Sequence, residues 1–170
     1  MPPTVCDAVL ARLARLSPGE RQVAGAVSVL GRRAEPGLLA AVSGQPGELV
    51  DECLARGMLV AVDGGIGFRH DLARLAVERS LPGATRSELH RRALARLAES
   101  GSADHRRLAH HAAGCGDRAA VARHAPLAAG RAARLGAHRE AADHLRQALS
   151  CHQQADGGRA ALLDQLSYEC

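Results

Sequence analysis

The chain has 170 residues, enough to bury one or two cores without disulfide staples. All 22 of its cationic side chains are Arg, against 18 Asp plus Glu, for a net charge of +4. The absence of Lys excludes a P-loop lysine, a Schiff-base lysine and other lysine-dependent chemistry. Any ATPase of the GKS/GKT kind must therefore reside in another domain or polypeptide.

The hydrophobic 46% is supplied by Ala, Leu and Val, with one Phe, one Tyr and no Trp. Small and branched side chains of this kind suit closely packed helices, so the expected fold is mainly α. Five cysteines without a CxxC pair are expected to be reduced thiols of a cytoplasmic protein. No run of eighteen apolar residues occurs, and no membrane partner is expected.

In chain order, Val5, Val9, Leu10, Leu13 and Leu16 recur at helical spacing. Ser17-Pro18-Gly19-Glu20 is a capping box with Pro at the first helical position, opening a helix through Val23, Val27 and Leu30 that stops at Gly31. Pro36 opens a short helix carrying Leu38, Leu39 and Val42. A fourth helix, about 48 to 56, is expected to turn Leu49, Val50, Cys53 and Leu54 inward.

The period then changes. Residues 58–62 and 66–70 read as two strands around Asp63-Gly64-Gly65, a β-hairpin. Helices followed by a hairpin predict a winged-helix module over 1–81, with Phe68 plugging the hairpin onto the helices. Asp71 is expected to cap a fifth helix whose Leu72, Leu75 and Ala76 face inward.

Leu81-Pro82-Gly83-Ala84 is the expected domain boundary. Thr85-Arg86-Ser87-Glu88 reads as a second capping box before Leu89, Ala93 and Leu97. Further helices are predicted over about 103–113, 117–135, 137–152 and from 159, forming a helical domain over 82–170. Ala125, Ala128, Ala129 and Ala132 set against Ala141, Leu145 and Ala148 predict a tetratricopeptide-like antiparallel hairpin. Such arrays need about three repeats, so the end at Cys170 is expected to be the cut edge of a longer array.

The would-be DNA recognition helix carries Glu48, Asp51 and Glu52, which oppose a polyanion. His105, His110, His111 and Cys115 lack the paired short spacings of structural zinc, so no metal is expected. No HExxH, GxSxG or GxxxxGK motif is present, and no catalytic residue is assigned. The corner Arg69-His70-Asp71, at a hairpin-to-helix transition, is the remaining candidate. Imidazole and backbone N–H groups could hold an anion there, although Asp71 puts its own carboxylate in the same place.

The runs VLARLARLSPGERQVAGAVSVLGRR, LLAAVSG, GFRHDLARLAVERSL, ELHRRALARLAE, LAHHAAGCGD and GAHREAADHLRQAL together resemble the middle of the large LuxR-type regulators of the STAND (signal-transduction ATPase) class. In that family an ATPase core precedes a winged helix, tetratricopeptide-like sensor repeats follow, and a LuxR-type DNA-binding domain closes the chain. The resemblance implies a non-catalytic regulatory segment that works with an ATPase domain in cis or trans. It implies an effector or protein bound on the helical array, and DNA contacted only through another domain. It also implies that His70, flanked by Arg69 and Asp71, matches two of three positions of a Met-His-Asp motif that senses ADP. Arg69 departs from the Met. No cofactor is expected on this chain alone, and ATP or ADP only in the full-length context. The alternatives are a helical-repeat protein-interaction scaffold, and a nucleic-acid binder using Arg91, Arg92, Arg106 and Arg107.

Overall fold

The computed structural model describes residues 3–151 and 157–169, which form a mainly helical protein with one two-stranded antiparallel sheet. The described residues pack as two compact units that meet in sequence at Arg96 and Leu97. The first holds α1 (Pro3–Ala14), α2 (Pro18–Leu30), α3 (Pro36–Ser43), α4 (Gly47–Ala55), β1 (Val60–Val62), β2 (Gly65–Gly67) and α5 (Asp71–Ser80). Helix α6 (Gly83–Glu99) runs from the first unit into the second, which holds α7 (His105–Cys115), α8 (Arg118–Arg134), α9 (His138–Cys151) and α10 (Gly157–Glu169).

Helix α2 is the axis of the first unit. Every residue from Val23 to Leu30 is buried, so this stretch of the helix is enclosed on all sides rather than along one stripe. It packs against α3, α4, α5 and β2. The predicted capping box is present: Glu20 N–H donates to Ser17 Oγ at 3.2 Å, and Ser17 N–H donates to Glu20 Oε2 at 2.7 Å. Gly31 ends the helix at φ 104, a backbone angle that L side chains rarely adopt. Leu39, Val42, Cys53, Leu59 and Val77 close the core around α2, all at 1% exposure or less. Each such Leu or Val contributes about 1.5–3 kcal/mol of burial.

The hairpin is shorter than expected. β1 pairs with β2 from Val60↔Gly67 to Val62↔Gly65, and the two-residue loop uses Gly64 at φ 78. Ala34, between α2 and α3, adds a third chain to this sheet: Ala34 N–H donates to Ile66 O at 2.8 Å, and Ile66 N–H donates to Ala34 O at 2.9 Å. The approach is so close that a Cβ at Gly65 would lie 2.7 Å from Ala34 O, and one at Gly67 would collide with Arg32 O. The two glycines of β2 thus let the backbone of residues 32–34 lie flush on the hairpin.

Some inward assignments shift. Leu10 and Leu72 are solvent-exposed, and Val77 takes the core position on α5. Met58 and Leu59 precede β1 and are buried. Thr85 does not cap a helix, because α6 has already begun at Gly83; its Glu88 instead accepts from Arg91 and Arg92. The sequence break at Leu81-Pro82 is a two-residue gap between α5 and α6.

In the second unit α7, α8, α9 and α10 pack each on the next. The connectors between α7 and α8 and between α8 and α9 are short, and Gly116 and Gly136 take left-handed φ of 77 and 72. Arg118, at the start of α8, donates to the carbonyls of Ser150 and Cys151 at the end of α9, which fixes those helices as antiparallel. Ala125, Ala128, Ala129 and Ala132 on α8 and Ala141, Leu145 and Ala148 on α9 are all buried. The small-against-large pairing read from the sequence is therefore the core of this unit.

Gly67→Ala is expected to lower stability by about 1–3 kcal/mol, because the added methyl must displace the Arg32 backbone. Urea unfolding followed by circular dichroism measures the loss. An unchanged midpoint would mean that the hairpin and residues 32–34 are not in register.

Candidate functional site

Arg69, His70 and Asp71 lie where β2 hands the chain to α5, and the three diverge in role. His70, not Asp71, is the N-cap of α5, with φ −133 and ψ 136. Its carbonyl accepts from Ala73 N–H at 3.0 Å and Arg74 N–H at 3.3 Å, closing the first turn. Its imidazole takes no part in the cap and is exposed. Asp71 occupies the first helical position instead, because its carboxylate is claimed from within the helix. Arg74 Nε donates to Asp71 Oδ1 at 2.7 Å. An acid in the first turn still complements the helix dipole.

Arg74 is the fixed member of the corner. Its side chain is 16% exposed, and it donates to Asp71, to Glu78 Oε2 at 2.7 Å and to the Ser28 carbonyl of α2 at 3.0 Å. Burial opposes its charge, but the hydrogen bond and charge of Asp71, with those of Glu78, outweigh burial and raise its pKa. The hydrogen bond from Arg74 in turn lowers the pKa of Asp71, with the charges of Arg74 and Arg32 adding to it.

A cleft of about 310 Å³ opens beside this network, walled by Arg32, Arg33, Val62, Asp63, Phe68, Arg69, Asp71 and Arg74. Arg69 and Asp71 line it, and His70 does not. The sequence reading missed Arg32, Arg33 and Arg74. Arg32 and Arg33 reach the corner through the Ala34–Ile66 bridge, a pairing across thirty-two positions. The one local signal is the extended bias that Pro36 places on Glu35, the residue after the bridge.

The histidines and cysteine considered for metal are held differently. His105 on α7 stacks on His124 of α8 with ring centroids 5.3 Å apart and Nδ1 atoms 3.2 Å apart. His110 and His111 meet edge to face at 5.0 Å, and Cys115 Sγ donates to the Ala112 carbonyl. For the two Nδ1 atoms of His105 and His124 to share a proton, at least one ring must be neutral.

Three of the arginines considered for nucleic acid, Arg91, Arg92 and Arg106, lie beside acids. Arg91 and Arg92 both pair with Glu88, whose pKa is drawn down to about 2 by their hydrogen bonds. Arg106 lies 3.7 Å from Glu140. The exposed face of α4 presents Glu48, Asp51 and Glu52.

No family model matches the chain, and neither a curated protein nor a solved structure shows significant similarity to it. No helix among the described residues is long and apolar enough to cross a membrane.

Two outcomes follow from these contacts. Arg74→Ala is expected to cost about 1.5–3 kcal/mol, since it leaves covered acceptors unpaired, whereas Asp71→Ala costs less than about 1 kcal/mol at its exposed position. Equal losses in chemical unfolding would contradict the anchoring role of Arg74. Burial, followed by the charge of His105, lowers the pKa of His124 below 6.5. A base with a depressed folded pKa contributes stability above its unfolded value, and that stability is lost as pH falls from 6.5 through the folded value. Thermal unfolding of the second unit is therefore expected to drop on acidification in this window, and His124→Gln should flatten the dependence.

Proposed function

We propose that the chain is a non-catalytic regulatory segment of an ATP-dependent LuxR-type transcriptional regulator. In this reading a winged helix over the first part of the chain is followed by tetratricopeptide-like repeats. The segment couples an effector or protein partner to an ATPase domain supplied in cis or trans. The reading rests chiefly on one observation: the His70 imidazole is exposed and forms no hydrogen bond among the described residues, on a backbone fixed by the first turn of α5. A side chain so placed is available to an anion outside this unit.

Other features support it. Helices α3 and α4 packed on α2 and followed by a two-stranded hairpin are consistent with a winged helix, and the Ala-lined α8–α9 pair is consistent with a tetratricopeptide-like hairpin. The acidic face of α4 and the acid-paired arginines of α6 and α7 weigh against a DNA-reading role for this segment. A groove of about 580 Å³ between α8, α9 and α10, with Pro126, Gly130 and Tyr168 on its walls, favours the array as the surface that receives an effector or partner. That groove equally suits the scaffold alternative, which differs by requiring no ATPase.

A charge-assisted bond from His70 to a phosphate of ADP would contribute about 1.5–3 kcal/mol, enough to bias a two-state switch and too little to hold ADP alone. With the ATPase domain present, His70→Ala is expected to speed ADP release about tenfold or more. The isolated chain should show no ADP binding by calorimetry. Unchanged ADP retention in the variant would remove the sensor role and leave the scaffold reading.

A further inference from the structure

We propose that the cleft between residues 32–33 and the hairpin-to-α5 corner is a binding site for a small phosphate-class anion, held by Arg32 and Arg69. Four guanidinium groups line this cleft of about 310 Å³, and their engagements separate them. Arg74 is committed to Asp71, Glu78 and the Ser28 carbonyl. Arg33 donates to the Asp63 carbonyl at 2.9 Å and approaches Glu35 at 3.4 Å. Arg32 and Arg69 form no hydrogen bond or ion pair among the described residues. Of the two carboxylates on the walls, Asp71 is hydrogen-bonded by Arg74 and also lies within the field of Arg32, while Asp63 is exposed. Four guanidinium groups against two carboxylates leave the walls of the cleft net positive.

The walls suit a phosphate more than an ammonium or an extended acidic segment. Guanidinium forks match phosphate oxygens in pairs. Phe68, 8% exposed, and Val62 give the cleft an apolar side, which limits solvent screening of whatever the arginines hold. The volume lies at the low end of small-ligand pockets, about 300–1,000 Å³, and fits a compact anion rather than a chain. The backbone is preset for it. Gly65 and Gly67 allow residues 32–34 to lie on the hairpin, and the Ala34–Ile66 bonds keep Arg32 in the neighbourhood of Arg69. The site shares Arg69 and Asp71 with the corner of the ADP-sensing reading, but His70 is not on its walls, so it does not depend on the sensing role of His70.

The test titrates the full chain at low ionic strength with inorganic pyrophosphate, and in a second arm with phenyl phosphate, followed by calorimetry. Binding in the millimolar range is expected, with Arg32→Gln and Arg69→Gln each weakening it about tenfold. Asp71→Asn, which removes a wall carboxylate, should strengthen it about threefold or more. Arg91→Gln, on the exposed face of α6, and His70→Ala should leave it unchanged. Preference for phenyl phosphate would assign an organic monoester resting on Phe68 and Val62, and preference for pyrophosphate an inorganic or terminal diphosphate. Absence of binding up to about 10 mM, well above the expected range, would overturn the proposal. So would equal binding by the Arg32 and Arg69 variants, or loss on His70→Ala. Arg32 and Arg69 are exposed, so their variants are expected to fold, and the ADP-release measurement on His70 reports separately.

Discussion

The first unit depends on how α2 begins. The first N–H groups of α2 have no partner within the helix, and although Ser17 and Pro18 are exposed, Ser17 and Glu20 answer that need reciprocally. The Glu20 carboxylate is itself fully covered, and its pKa is held below the ordinary 4.5, first by the Ser17 backbone N–H. Its other oxygen, Oε1, lies 2.7 Å from Arg56 Nε at an angle that is not a hydrogen bond, so this contact is Coulombic. One carboxylate thus closes the start of α2 and draws in the residue that ends α4. Helices α3, α4 and α5 pack against the axis that begins there.

Local chemistry was legible in the sequence wherever neighbours in the chain decide the outcome. The Ser17–Glu20 box, the stop at Gly31, the turn at Gly64 and the small-residue faces of α8 and α9 all depend on residues within a few positions, and each is found as read. The failures have long-range or competitive causes. Nothing local announces that Ala34 pairs with Ile66, so the arginines before it were not assigned to the corner. Asp71 has the chemistry of a cap, but Arg74 three residues on competes for its carboxylate and His70 supplies the cap backbone instead. Thr85 fits a capping box by spacing, yet helix formation starts two residues earlier at Gly83, where nothing in the motif reaches.

The corner combines rigidity with accessibility. Arg74 ties the first two turns of α5 to the Ser28 carbonyl of α2, so the backbone under His70 and Asp71 is referred to the core. The side chains of Arg32, Arg69 and His70 at this frame are exposed and form no hydrogen bond among the described residues. Functional groups on a connection positioned by a rigid scaffold are the usual arrangement for binding sites. Here the scaffold is the enclosed helix α2, and the connection is the short path from β2 to α5.

The covering of Cys53 reaches beyond packing. Its thiol donates to the Glu20 carbonyl at 3.6 Å, and burial, with the charges of Glu20 and Glu52, pushes its pKa up to about 11. A thiol that is both sheltered and protonated does not react with alkylating reagents. Cys53 therefore acquires reactivity when α4 lifts from α2. Its rate of modification serves as a clock for local opening at the base of the first unit, set against the less covered Cys6, Cys115 and Cys151 in the same molecule.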